Sequence, residues 1–309
     1  MRTNAALVET AARAGTASDS ALLAGVASDP ATRAAADALR LDLAESAARL
    51  GGVAGQRDAD RTSRWAAECL RLVTGLELAQ APGLSYGLPE RVASGRPVLA
   101  GRARLAMTVR RPGDEVAFTP KEGGGARGSA EIELTLDGFS APLTAGALAD
   151  AADRKLLDGT PLLASGDSVF FGPGTPADAS SPAAFVPLES LAQDAFEPQW
   201  RAPLDRELGE APVLPLSIYG AVALSHGPAD ASNPDAATGG DPLRPFIYLF
   251  DGRSAGLAGL AFDEGTFSVA GYVTGGQELL PQLRQGDRVT SVRLVEGGDR
   301  LRRPAAAAE

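Results

Sequence analysis

Apolar and polar positions alternate along residues 130–136: Ile132, Leu134 and Leu136 against Glu131, Glu133 and Thr135. Period two is the mark of a strand with one buried face. Ala103, Leu105, Met107 and Val109 alternate in the same way within 102–110, which predicts a second strand paired with the first. Asp137-Gly138 turns the chain. Pro142 and Thr144 then predict a helix over 144–157, with Thr144 as its cap and Asp158-Gly159 as its end. Apolar runs bounded by turn residues predict buried strands at 214–224, 245–250 and 268–273. A short helix fits 277–284, and 289–295 alternates again. The polar stretches 112–128, 172–184 and 226–242 read as an excursion and two long loops. Strands scattered among loops with two flanking helices suit a closed barrel.

The first 80 residues follow a different period. Short helices are predicted at 4–14 and 18–27. Asp29-Pro30 is a start signal for a third, which runs to Leu50 with Leu39, Leu43 and Leu50 inward and stops at Gly51-Gly52. A fourth spans 54–80, where Trp65, Cys69, Leu72, Val73 and Leu76 form one stripe. Together these predict a four-helix bundle with a thin, Ala-rich core. Three prolines and three glycines crowd residues 81–97, the punctuation of a boundary. The expected class is therefore α+β in two domains, an all-α helical bundle over 1–95 and a barrel over 96–303.

Composition narrows the function. A chain of 309 residues that is 44% hydrophobic can bury a core. Its 39 acids against 29 bases give a net charge of −10, which argues against nucleic acid and against an anionic membrane surface as partners. Cys69 is the single cysteine, so neither an internal disulfide nor a thiolate metal cluster is expected. No membrane span and no secretory signal are expected either. His226, the lone histidine, has only near neighbours such as Ser225 and Asp230 for a triad, and is read as a surface-loop residue. Gly123-Gly124-Gly125 lacks the Lys-Ser/Thr of a phosphate loop. Cys69 is read as a small buried hydrophobe, and Trp200 as packing over the barrel. No metal and no cofactor is expected.

Several stretches, in order, resemble cyclophilins, the eight-stranded barrels of peptidyl-prolyl isomerases. They are the strand, Ala141-Pro142-Leu143-Thr144 and helix; Tyr219–Ser225; Pro245–Leu249; Phe262–Val273; and Gly276–Leu280 with Gly286-Asp287. The closer resemblance is to the multidomain cyclophilins of the thylakoid lumen, whose helical N-terminal region is likened to PsbQ. Pro97–Ala103, Leu136–Leu148 and Gly271–Thr274 are similar to stretches of those proteins. The resemblance implies a closed eight-stranded barrel in the chloroplast thylakoid lumen and a role in photosystem II assembly or maintenance. The implied partners are lumenal segments of photosystem II or of other thylakoid membrane proteins.

It also implies where an isomerase site belongs. In the family an Arg donates to the prolyl nitrogen as the amide twists, a Gln and a backbone amide hold the carbonyl, and Phe side chains seat the ring. The Arg position falls on Ala164, the first pocket Phe on Ser168, and the Gln on Phe171. The second pocket Phe falls on Ile247, the Trp on Ala261 and the His on Phe267. The implied groove is Leu224, Ser225, Phe246, Ile247, Ala261 and Phe267, and no Arg lies between Leu157 and Trp200. The expectation is a degenerate site in a scaffold or assembly factor. The alternatives are an active isomerase with displaced groups, for which Arg244 or Arg253 is the candidate, and a stable accessory subunit of a photosynthetic complex.

Overall fold

A computed structural model describes residues 30–54, 58–81, 83–113, 116–120, 125–172, 186–200, 204–205, 208–226, 240–249 and 267–304. The expected helices at 4–14 and 18–27 lie outside the described residues, as does Ala261. The chain divides into two compact units, Met1–Leu84 and Ser85–Glu309.

In the first unit two helices are described, α1 (Pro30–Ala54) and α2 (Ala59–Gln80). Asp58 caps α2 by accepting from the Arg61 N–H at 3.0 Å. Leu43, Leu50, Cys69, Leu72 and Leu76 are buried together, with Leu39, Trp65 and Val73 partly covered. The stripe read from the sequence is the seam between the helices. Leu39 lies against Gly75 and Arg49 against Trp65, the pairing of an antiparallel hairpin. The structure describes this pair and not the four helices of the expected bundle.

In the second unit a short helix α3 (Glu90–Ala93) precedes β1 (Val98–Leu99), β2 (Arg102–Arg110), β3 (Ser129–Asp137) and α4 (Pro142–Asp153). Then follow β4 (Leu163–Ser165), β5 (Ser168–Phe170), β6 (Glu189–Ser190), β7 (Gln199–Trp200) and β8 (Ala221–His226). The last elements are β9 (Gly240–Tyr248), β10 (Phe267–Gly275), β11 (Arg288–Glu296) and β12 (Leu301–Arg302). Eight strands form one antiparallel sheet in the order β11-β2-β3-β10-β8-β9-β5-β4. The two strands legible by alternation pair in the register Ala103↔Leu136 to Val109↔Ala130.

The sheet is curled into a half-barrel. Between its outermost strands, the residues just before β4 bond across: Leu162 N–H donates to Asp287 C=O at 2.6 Å and Val289 N–H to Thr160 C=O at 2.9 Å. The expected eight strands are there, but the ladder does not run unbroken around a closed barrel.

Ala103, Leu105, Met107, Val109, Ile132, Leu134, Leu136 and Val292 face inward, and α4 covers them with Ala145, Leu148, Ala149 and Ala152. Ala and Gly on α4 allow close approach. A Cβ at Gly146 would sit 2.6 Å from the Pro97 carbonyl oxygen. At one edge Arg111 grips the buried Asp287 carboxylate at 2.9 Å and lies over Phe118.

Three local expectations need correction. The helix begins at Pro142, and Thr144 sits inside it instead of capping it. The run 214–224 is extended strand only from Ala221; Gly220, at φ +83°, still bonds to Tyr248 and Val273 on the two neighbouring strands, and the chain before it turns. The stretch 277–284 is a 3-10 turn over Gln277–Gln282, since Pro281 cannot donate to an α-helical ladder.

Candidate peptide-binding face

Registers across four strand pairs bring Leu163, Phe170, Phe246, Ala223 and Val269 into one row. Directly opposed residues in a sheet point to the same side. The next row on that side holds Ser165, Ser168, Tyr248, Ala221 and Tyr272. Phe246, Tyr248, Ala221, Ala223, Val269 and Leu216 form a cluster there, separate from the core beneath α4. Phe170 and Phe246 lie tilted at 41° with centroids 5.2 Å apart, and Phe267 meets Phe246 edge-on at 5.6 Å. Phe246 is only 2% exposed, so the three rings form a covered cluster whose accessible margin is the partly buried Phe170 and Phe267, with the exposed Leu163 opposite Phe170. Leu214 and Leu216 wall one end, where a small cleft of about 30 Å³ also touches Glu189, Ser190, Phe267 and Val269.

The neighbouring row, Ala164, Val169, Ile247 and Val222, belongs to the opposite side, and Val169, Ile247 and Val222 are core residues. The sequence-named positions therefore separate. Phe246, Phe267, Ser168 and Ser225 share the aromatic side. Ile247 and Phe171 lie in the core, and Leu224 packs with Val92, Leu143, Ala147 and Val186. A one-residue slip in a strand moves a side chain to the other face. The aromatic position on β9 is thus filled by Phe246, and that on β5 by Phe170.

Arg244 brings a positive charge to this side. Arg244 is two residues before Phe246 on β9, and its guanidinium carbon is 5.4 Å from the Phe170 ring centroid. No guanidinium or carboxamide occupies β4 or β5, whose members on this side are Leu163, Ser165, Ser168 and Phe170.

A buried polar hub lies behind the cleft. The Glu189 carboxylate accepts from Leu143 N–H at 3.1 Å, Thr144 N–H at 2.8 Å, Thr144 hydroxyl at 2.7 Å and Trp200 indole N–H at 3.0 Å. It caps α4 from 46 residues away. Burial pushes its carboxyl above the usual range, against the hydrogen bonds from Thr144, Trp200 and Leu143. Glu189 N–H donates to the Ser268 hydroxyl at 2.7 Å, which lies 2.8 Å from His226 Nε2. His226 is buried, not a surface-loop residue, and burial lowers its pKa to about 4. Nothing in the sequence signalled this hub, because its members lie on five separate elements.

No protein-family profile matches the chain. Curated relatives do. It is 41% identical over 249 residues to the chloroplastic peptidyl-prolyl cis-trans isomerase CYP37 of Arabidopsis thaliana, a match covering 81% of this chain and 51% of that protein. It is 28% identical over 257 residues to sll0408 of Synechocystis, described as a putative thylakoid lumen peptidyl-prolyl cis-trans isomerase, covering 79% and 60%. Chloroplastic CYP38 of Arabidopsis thaliana matches at 27% over 251 residues, covering 77% and 52%. The curled antiparallel sheet and these relatives define a cyclophilin-type protein. The chain belongs to the cyclophilin-type peptidyl-prolyl isomerase family, in its chloroplast and thylakoid-lumen branch. It spans roughly half to three-fifths of the length of these relatives. Among the described residues no helix is long and apolar enough to cross a membrane.

Proposed function

We propose that this chain works in the thylakoid lumen as a scaffold or as an assembly and maintenance factor for photosystem II, with its prolyl isomerase site degenerate. The observation that carries the reading is the composition of β4 and β5 on the aromatic side. Leu163, Ser165, Ser168 and Phe170 offer no guanidinium to a twisting prolyl nitrogen. Crossing an X-Pro barrier of about 18–20 kcal/mol faster than water does requires such electrostatic help. What remains is an apolar margin at Leu163, Phe170 and Phe267, beside a covered aromatic cluster, as the place for an extended segment of a partner. The partners on this reading are lumenal segments of photosystem II or of other thylakoid membrane proteins. The helical unit, read as PsbQ-like, is the candidate for docking on them.

Crosslinking with mass spectrometry in isolated thylakoids tests the partner. The expected result is a set of crosslinks to photosystem II subunits that is substoichiometric and confined to assembly stages. A constant stoichiometry with the mature complex would instead indicate an accessory subunit. A protease-coupled proline assay tests the degenerate site, and turnover at ordinary cyclophilin rates would defeat it. Arg244 over Phe170 favours a second reading, a working isomerase with a displaced guanidinium. That reading requires turnover in the unaltered chain that disappears in Arg244→Ala.

A further inference from the structure

Three described arginines lie over aromatic rings: Arg49 over Trp65 at 4.9 Å, Arg111 over Phe118 at 5.1 Å and Arg244 over Phe170 at 5.4 Å. The first two also hold a carboxylate, from Glu45 and Asp287 respectively. Arg244 has the ring, and among the described residues no acid pairs with it. Its side chain is half-buried beside the partly exposed Phe170, next to the exposed Leu163. Stacking engages the flat face of a guanidinium and leaves its in-plane N–H fork free to donate. A carboxylate is the acceptor that matches this fork with two parallel hydrogen bonds.

We propose that Arg244 is the specificity-determining residue of this face, and that the occupant is an extended partner segment with an acidic side chain beside an apolar one. The inference rests on the reading that the face binds a peptide. The apolar side chain meets the accessible margin at Phe170 and Leu163 while the carboxylate meets the guanidinium. The chain as a whole carries −10, so its long-range field works against an acidic peptide. A preference for one must therefore arise from a local contact.

The test uses the full chain and two fluorescein-labelled dodecapeptides, each with a central Leu-Pro pair, differing only in a Glu or a Gln beside the Leu. Binding is read by fluorescence anisotropy at about 0.15 M salt, where only short-range pairs persist. The unaltered chain should bind the Glu peptide about tenfold more tightly than the Gln peptide. Arg244→Gln should reduce that ratio to below about twofold, and Arg244→Lys should keep only part of it because lysine lacks the fork. Circular dichroism checks that both variants are folded. Equal binding of the two peptides, or a preference that survives Arg244→Gln, overturns the proposal while leaving the peptide-binding reading in place. Binding of neither peptide overturns both.

Discussion

Removing the Glu189 carboxylate should unfasten the start of α4 from the strand pair β6–β7. Four donors depend on it: two backbone N–H groups, the Thr144 hydroxyl and the Trp200 indole. A buried donor left without a partner costs about 1–3 kcal/mol. The Thr144 hydroxyl can turn to a carbonyl one turn back, and water can reach the hub from the adjoining cleft, so the costs do not simply add. Glu189→Ala should therefore lose about 3–5 kcal/mol. Glu189→Gln should lose less, about 1–2 kcal/mol, since its oxygen can still serve Thr144 while its NH2 faces the indole N–H. Adding Trp200→Phe removes that donor–donor conflict, so the double variant should be less destabilised than the two single losses combined.

Because the chain has two compact units, the transition must be assigned to the right one. Hydrogen exchange of the Leu143 and Thr144 amides, followed through a urea series, reports on α4 alone. Fast exchange of these amides in Glu189→Ala under native conditions is the expected signature. A variant within about 1 kcal/mol of the unaltered chain, with exchange unchanged, would refute the capping argument.

Three further outcomes follow from the same structure. His226 has its pKa lowered from 6.5 to about 4, so its contribution is fully present above pH 6.5 and is lost as pH falls towards 4, worth about 3 kcal/mol over that window. His226→Gln should flatten the urea-midpoint profile of the second unit between those limits, and parallel profiles would contradict the assignment. A Cβ at Gly271 would lie 2.0 Å from the Thr135 carbonyl oxygen, so Gly271→Ala should cost ~3 kcal/mol or more in equilibrium unfolding as β10 is pushed off β3. Arg111→Ala strands the Asp287 carboxylate, which is only 2% exposed, and should lower stability by ~3–5 kcal/mol, read as a drop in Tm.

The sequence alone determined whatever is encoded by neighbours in the chain. Alternation placed β2 and β3 and their partnership, and the helical stripe through Cys69, Leu72 and Leu76 placed the α1–α2 seam. Ordered motifs pointed to the family and the lumen, since motifs survive as short strings. The strands also carried the face, but not which residue of each pair shows on it. Phe246 and Ile247 were both read as groove residues, and Phe171 as the family's Gln position, because in a strand buried on both sides apolar residues follow one another and period two loses its contrast. Only the cross-strand registers removed that ambiguity. Tertiary structure likewise decided that Thr144 serves a carboxylate instead of capping its own helix, that His226 is buried, and that Arg244 lies on an aromatic ring. Each depends on groups tens of residues apart meeting where water is excluded, and no local pattern records such a meeting.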